Sequence, residues 1–245
     1  MAPSNSRTYE EKDRAVIIEN IEKQDSTFKL KYFKLHGMAW SVRTILAATG
    51  AKWESVFPED WPSEKAGTLF GVLPVLYETT SSGQTIEIPE SETIEYYLAR
   101  KFRLYGEDAF DEIRVRSFAS SIQSLILYYL LRVAVVKDEG YKAVMLERFL
   151  KEALPPFLAT HERHLEANGR NGHYVSDKLS LPDIKLSIAV NIILGLTGDQ
   201  HVSKDKTPAI WAVYETVNAI PSITKWKETE AYQEIAQGNK NILGV

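Results

Sequence analysis

The hydrophobic period of this chain changes once, and that change restricts the folds open to it. Phe28 to Leu35 alternates apolar and polar side chains with period two, the pattern of a half-buried strand. Ala39 to Thr49 then places Trp40, Val42, Ile45, Leu46 and Ala47 at helical positions and closes on Gly50. Lys52 to Phe57 reads as a second short strand. Val72 to Tyr77, entered through Pro74, reads as a buried strand, and the turn Ser81 to Gln84 returns it into Thr85 to Ile88, so that pair is expected to be antiparallel. Pro89, Glu90, Ser91 and Glu92 open a helix that runs through Ile94, Tyr97 and Leu98 to Phe102, with Arg100 and Lys101 at its negative end. The order is βαβ followed by ββα. Beyond a hydrophilic link at 103–111 no comparable strand signal survives. Helical spacing predicts helices near 110–136, 141–167, 181–196, 208–219 and 222–235. A small α/β domain followed by an all-helical one is the architecture these periods allow.

The helix after Ser180 is the best marked. Ser180, Leu181, Pro182 and Asp183 form a capping box, and apolar residues from Ile184 to Leu194 cover every face, so the helix is expected to cross the middle of its domain. Residues 1–27 are polar and charge-rich, an extension in which Ala15 to Ile21 reads as a short helix or an irregular arm. The opening residues lack the basic and apolar pattern of a signal peptide. Ser124 to Val136 is too short for a membrane span and reads as a core helix. The reducing cytosol is therefore the expected compartment. A formal charge of −4 gives no overall field for nucleic acid or anionic lipid.

The chain contains no cysteine, which excludes disulfides, iron–sulfur clusters, thiolate zinc sites and any cysteine nucleophile. Thiol chemistry, if present, has to come from a substrate. A βαβ-ββα unit with a proline at the head of its third strand resembles the thioredoxin-like domain, here without the Cys-x-x-C pair. Followed by a helical domain with a Ser-x-x-Asp capping box, it resembles a cytosolic glutathione transferase. The segments that carry the resemblance are Lys31 to Phe33, Asp60 to Lys65, Phe70 to Leu76, Pro89 to Ser91 and Ser180 to Asp183, in that order. Tyr32–Phe33 and Asp60–Trp61 look most like the sigma class of tyrosine-type enzymes. The resemblance implies an N-terminal extension over 1–27, a thioredoxin-like glutathione-binding domain over 28–102 and an all-helical domain with the electrophile site over 110–245.

A free cysteine thiol, with a pKa of about 8.5, is only a few per cent ionised at neutral pH, so a transferase has to stabilise the thiolate. The resemblance gives that catalytic role to Tyr32; by spacing alone Tyr32 is equally a half-buried strand tyrosine with its hydroxyl at the surface. The resemblance also implies that Val72, Leu73 and Pro74 meet glutathione, with a cis-proline leaving the Leu73 main chain free for the cysteinyl part. Glu90 and Ser91 would hold the γ-glutamyl end, Ser91 lying where free helix N–H groups favour a carboxylate. Read without the family, Glu90 to Glu92 is an ordinary helix start. Trp61 and Lys65 match the positions that contact the glycyl end, and Gly37, Met38, Ile126 and Tyr129 the electrophile pocket.

Departures from the family pattern remove charge from the site. Met38 stands where sigma-like enzymes often carry an arginine, Val72 where a lysine is common, and Ser124 where an acid of the neighbouring subunit usually reaches the γ-glutamyl amine. Glu90, Gln123 and His36 are the groups available to compensate. His36 itself reads as a turn or solvent residue, and His161 with His164 as a solvated helix face, so no metal or other cofactor is implied beyond glutathione as co-substrate. The resemblance implies a cytoplasmic detoxifying homodimer that conjugates glutathione to hydrophobic electrophiles. The alternatives are a non-catalytic binding or structural protein on the same fold and a glutathione-dependent isomerase of the prostaglandin type.

Overall fold

The computed structural model describes residues 8–245. Helix α1 (Glu11–Asn20) begins with a reciprocal cap in which the Glu10 N–H donates to Asp13 at 2.9 Å. Strand β1 (Thr27–Lys31) shows the alternation that the sequence carries, with Phe28 and Leu30 buried and Thr27 and Lys29 exposed. Helix α2 (Trp40–Ala48), strand β2 (Lys52–Val56), the single turn α3 (Trp61–Glu64), strands β3 (Val75–Thr79) and β4 (Thr85–Pro89), and helix α4 (Ser91–Lys101) complete the first part. The sheet has four strands in the order β2-β1-β3-β4; β1 runs parallel to β2 and antiparallel to β3, and β4 is antiparallel to β3. This is the thioredoxin-like βαβ-ββα arrangement.

Strand ends depart from the expected ones for local reasons. β1 stops at Lys31, because the Leu35 N–H turns back to the Phe33 carbonyl at 2.8 Å. β3 begins at Val75 rather than Val72, after a cis Leu73–Pro74 bond whose proline has no N–H for a ladder.

The second part is helical: α5 (Ala109–Tyr129), α6 (Glu139–Arg148), α7 (Leu154–Ala167), α8 (Leu181–Thr197), α9 (Pro208–Asn218), α10 (Pro221–Lys227) and α11 (Glu230–Leu243). The helix expected over 141–167 is divided. Pro155 and Pro156 lack N–H groups, and the chain passes from α6 to α7 through a π-helical segment, Phe149–Ala153. The last expected helix is also two, because the Thr229 side chain caps a new one by accepting from the Tyr232 N–H at 3.2 Å. α8 runs through the core against α5, α9 and α2. Its capping box is present, with the Ser180 N–H and hydroxyl donating to Asp183 at 2.8 and 2.9 Å.

Several polar residues are deeper than the sequence suggests. Within the 1–27 segment, α1 is docked rather than loose: Val16 and Asn20 are buried, and the Lys101 ammonium at the end of α4 donates to the Asn20 carbonyl at 2.6 Å. Lys101 also forms a buried ion pair with Glu78 of β3 at 2.9 Å. His161 is not on a solvated face. It is buried between Ser121 at 3.0 Å and the Tyr174 hydroxyl at 2.5 Å, and burial depresses its pKa to about 4, whereas His164 is exposed.

Candidate active site

The sheet brings the separated site segments together. Val56, Lys31, Val75 and Pro89 form one row across its four strands. Tyr32, Pro74 and Glu90 are each one residue beyond that row, on neighbouring strands about 4.8 Å apart. A strand register therefore gathers residues that lie far apart in the chain at one end of the sheet.

Tyr32 follows β1, its N–H extending the parallel ladder to the Val56 carbonyl at 3.1 Å. Its side chain is buried, and its hydroxyl oxygen accepts the Met38 N–H at 3.2 Å. Among the described residues that hydroxyl finds no acceptor for its own proton. Burial raises the phenol pKa above its usual value, opposed by the Met38 N–H and by the nearby Arg43 charge. The group thus keeps its proton at neutral pH and is available as a donor.

Arg43 is the functional side chain that the sequence reading missed. Fully buried on α2, it donates to the carbonyls of Leu35 at 2.6 Å and Phe33 at 3.2 Å, and its guanidinium carbon lies 5.7 Å from the Tyr32 ring centre. Burial lowers its pKa to about 10. The one available signal is an arginine within the run Val42 to Ala48, where Thr44 is the other polar residue. The Met38 main chain thus reaches the Tyr32 hydroxyl, and Arg43 brings a cation to the Tyr32 ring from α2.

The flank toward α3 and α4 presents unpaired polar groups. Leu73 makes no main-chain hydrogen bond among the described residues, leaving an N–H and a carbonyl for an extended peptide. Glu90 is exposed at φ +69, in the region that normally favours glycine, and immediately precedes α4. Ser91 is the first residue of α4, 9% exposed, beside first-turn N–H groups that have no intrahelical partner. Trp61 meets the Phe33 ring edge to face at 6.2 Å, and Phe33 meets Tyr32 at 5.5 Å. An ion pair between Lys31 and Glu64 fixes α3 to the end of β1. Lys65 is exposed and forms no ion pair among the described residues; Val72 is half-buried beside Leu73.

The opposite flank is closed. Gly37 and Met38 from the loop, Ile126 from α5 and Ile188 and Ile192 from α8 surround a cavity of about 20 Å3. Beneath it, both oxygens of the buried Glu95 are occupied, one by the Ser41 hydroxyl and the other by the Lys185 ammonium at 2.5 Å. Tyr129 does not line this cavity: it is core, packed near Phe149, and its hydroxyl donates to the Leu243 carbonyl at 2.5 Å. Ser124 is exposed on α5. His36 is a turn residue, its carbonyl accepting the Ala39 N–H at 3.0 Å, but not a solvent one; its buried ring stacks on Trp40 at 4.4 Å, and burial depresses its pKa to about 3. A larger depression, about 1250 Å3, lies elsewhere, between α1, α4 and α5, and none of the residues described above on either flank of Tyr32 lines it. Among the described residues no group of three His, Asp or Glu side chains is placed to hold a metal.

A buried phenol with no acceptor for its proton, a main-chain segment without hydrogen-bond partners and a helix start carrying a hydroxyl thus stand at one end of the sheet among the described residues. Residues 127–230 match the family model described as the glutathione S-transferase C-terminal domain. A glutathione S-transferase of Dirofilaria immitis is 30% identical over 82% of this chain and 91% of its own. Among solved structures, a Nu-class transferase from Haemonchus contortus is 30% identical, covering 83% of this chain and 97% of its own with a TM-score of 0.67. A structure described as prostaglandin synthase D of Nilaparvata lugens is 25% identical over 83% of this chain and 98% of its own, with a TM-score of 0.69. Sequence motifs, sheet register and relatives converge, and the chain belongs to the glutathione S-transferase family.

Proposed function

We propose that this chain is a tyrosine-type glutathione transferase, sigma-like in its Tyr32–Phe33 and Asp60–Trp61 segments, and that Tyr32 stabilises the glutathione thiolate. The observation that carries this reading is the Tyr32 hydroxyl, which accepts an N–H and retains its own proton for donation. In the reaction, the thiol proton leaves to solvent and the phenol donates to the thiolate sulfur. The sulfur lone pair then attacks the electrophilic carbon while the leaving group departs. Tyr32 remains protonated throughout, and no covalent enzyme intermediate forms.

The Leu73 main chain pairs with the cysteinyl residue, with Val72 and Pro74 beside it. The α4 start with Ser91 takes the γ-glutamyl carboxylate and Glu90 its ammonium. Trp61 and Lys65 face the glycyl end, and Gly37, Met38 and Ile126 the electrophile. The enzyme works in the cytoplasm as a homodimer.

In Tyr32→Phe, kcat/KM for conjugation of an aryl halide near neutral pH falls by about 10²-fold, the size expected for losing one charge-stabilising donor, while circular dichroism and the unfolding transition stay unchanged. Wild-type turnover in this variant removes Tyr32 from the mechanism. The prostaglandin synthase neighbour favours a second reading, in which the same thiolate opens an endoperoxide and is expelled again. Product analysis with an endoperoxide substrate separates net isomerisation from conjugation.

A further inference from the structure

We propose that Asn239, on the last helix and remote from Tyr32 in sequence, is a positioning residue that holds the loop whose Met38 N–H meets the Tyr32 hydroxyl. The inference rests on Tyr32 being the thiolate-stabilising group. Arg43 fixes the loop at the Phe33 and Leu35 carbonyls, but the loop continues to Gly37 before it reaches Met38. The Gly37 N–H donates to Asn239 Oδ1 at 3.3 Å. The same peptide backbone presses on the phenol, since a Cβ at Gly37 would stand 2.8 Å from the Tyr32 oxygen. Gly37 at φ +42 tolerates that approach where other residues would be strained.

Asn239 is well built for this task. It is 1% exposed, and its Nδ2 donates to the Val245 carbonyl at 2.6 Å, which fixes which end of the carboxamide faces Gly37. The preceding residue is Gly238, where a Cβ would fall 1.8 Å from the Lys34 carbonyl oxygen. α11 therefore rests backbone to backbone on the loop, an approach only glycine permits. His36 completes the seat, its ring 5.3 Å from Tyr232 and 6.2 Å from Trp226. Fixing Gly37 fixes the direction of the following N–H. An N–H donated to the phenol oxygen makes the phenol a stronger donor toward a thiolate.

The charged and titratable groups facing this seat are Arg43 from α2, His36 of the loop itself, Lys227 from α10, Tyr232 from α11, whose phenol pKa burial raises, and the Lys34–Glu234 pair, 3.2 Å apart, between loop and α11. Burial keeps His36 neutral, with a pKa of about 3, and leaves Arg43 at about 10. His36 therefore keeps its charge state across the thiol titration, and Arg43 stays a cation over the neutral range in which the variants are compared.

The test titrates the bound thiolate by its ultraviolet absorbance, alongside pH profiles of kcat/KM, in the full chain and in Asn239→Ala, Gly238→Ala, Glu234→Gln and Tyr32→Phe. Asn239→Ala and Gly238→Ala are expected to raise the thiol pKa by about 0.5–1 unit. That lowers kcat/KM at neutral pH by about 3–10-fold, converging on wild type at high pH, with KM for glutathione unmoved. Glu234→Gln, which removes only an exposed pair, leaves the curve in place. A wild-type curve in Asn239→Ala, with Tyr32→Phe shifted upward, overturns the role of Asn239 alone. An unshifted Tyr32→Phe overturns the Tyr32 reading and this inference with it. Should the α11 variants fail to fold, hydrogen exchange on the native enzyme still decides. Gly37 and Met38 amides are expected to exchange together with α11, and fast exchange at Gly37 beside a protected α11 refutes the proposal.

Discussion

The two flanks of Tyr32 are built in opposite ways. On the side of α3 and α4, the groups proposed to meet glutathione come from main chain and from single residues at the ends of elements, and among the described residues they stand unpaired: the Leu73 amide and carbonyl, the first turn of α4 and the Lys65 ammonium. On the side of α5 and α8, mostly apolar side chains close on a cavity of about 20 Å3, whose polar lining is Gln123 and a Ser41–Glu95 pair in which both Glu95 oxygens are bonded. One flank is prepared for a fixed, polar partner. The other has room for about one water, so a co-substrate at the proposed electrophile site would enter by displacing side chains, with Met38, whose thioether is flexible, the readiest to move. The difference suits an enzyme that keeps one substrate constant and varies the other.

Experiments on each flank can break or sharpen this contrast. The largest effect is expected at the closed side. Lys185→Ala leaves the Glu95 carboxylate buried without its cation, a loss of about 3–5 kcal/mol, read in urea unfolding. The joint change Lys185→Met with Glu95→Gln restores most of it. A loss under about 1 kcal/mol for the single variant means the pair does not hold the floor of the cavity. Next in size is Ser91→Ala on the prepared side. Removing one hydrogen bond to a carboxylate should cost about 1.5–3 kcal/mol, about 10–100-fold in KM for glutathione, with kcat nearly unaltered. Equal KM values would place the γ-glutamyl end elsewhere. The smallest effect belongs to Met38→Ala, which keeps the main-chain N–H on Tyr32 while opening the closed side. Its kcat/KM for bulky electrophiles should rise about 3–10-fold relative to small ones. A panel of aryl halides of increasing size measures that ratio, and no change in it argues that the co-substrate approaches by another route.

The same contrast explains what could be read from the sequence. Strand alternation, the Leu73–Pro74 pair, the α4 start and the Ser180 capping box are encoded in a few adjacent residues, and each occurs in the structure. Groups whose role depends on distant partners were illegible. Arg43 looks like an interruption of an apolar helix until the loop carbonyls are placed beside it. His161 reads as solvated until Ser121 and Tyr174 enclose it. Tyr129 shares helical spacing with Ile126, but the C-terminal segment claims its hydroxyl and takes it away from the cavity. Periodicity reports which side chains are buried; it carries no record of which neighbour buries them.

One consequence concerns the helix that holds Ser91. α4 has 11 residues, about 16 Å of rod. One end carries Ser91, the residue proposed for the γ-glutamyl carboxylate; the other carries Lys101, whose buried ammonium rests on Glu78 and on the Asn20 carbonyl at the close of α1. Helix α1 is thus the far abutment of a beam whose near end is the proposed γ-glutamyl seat. A chain trimmed to start at Thr27 would keep Tyr32 and lose the bearing on which Ser91 is aligned.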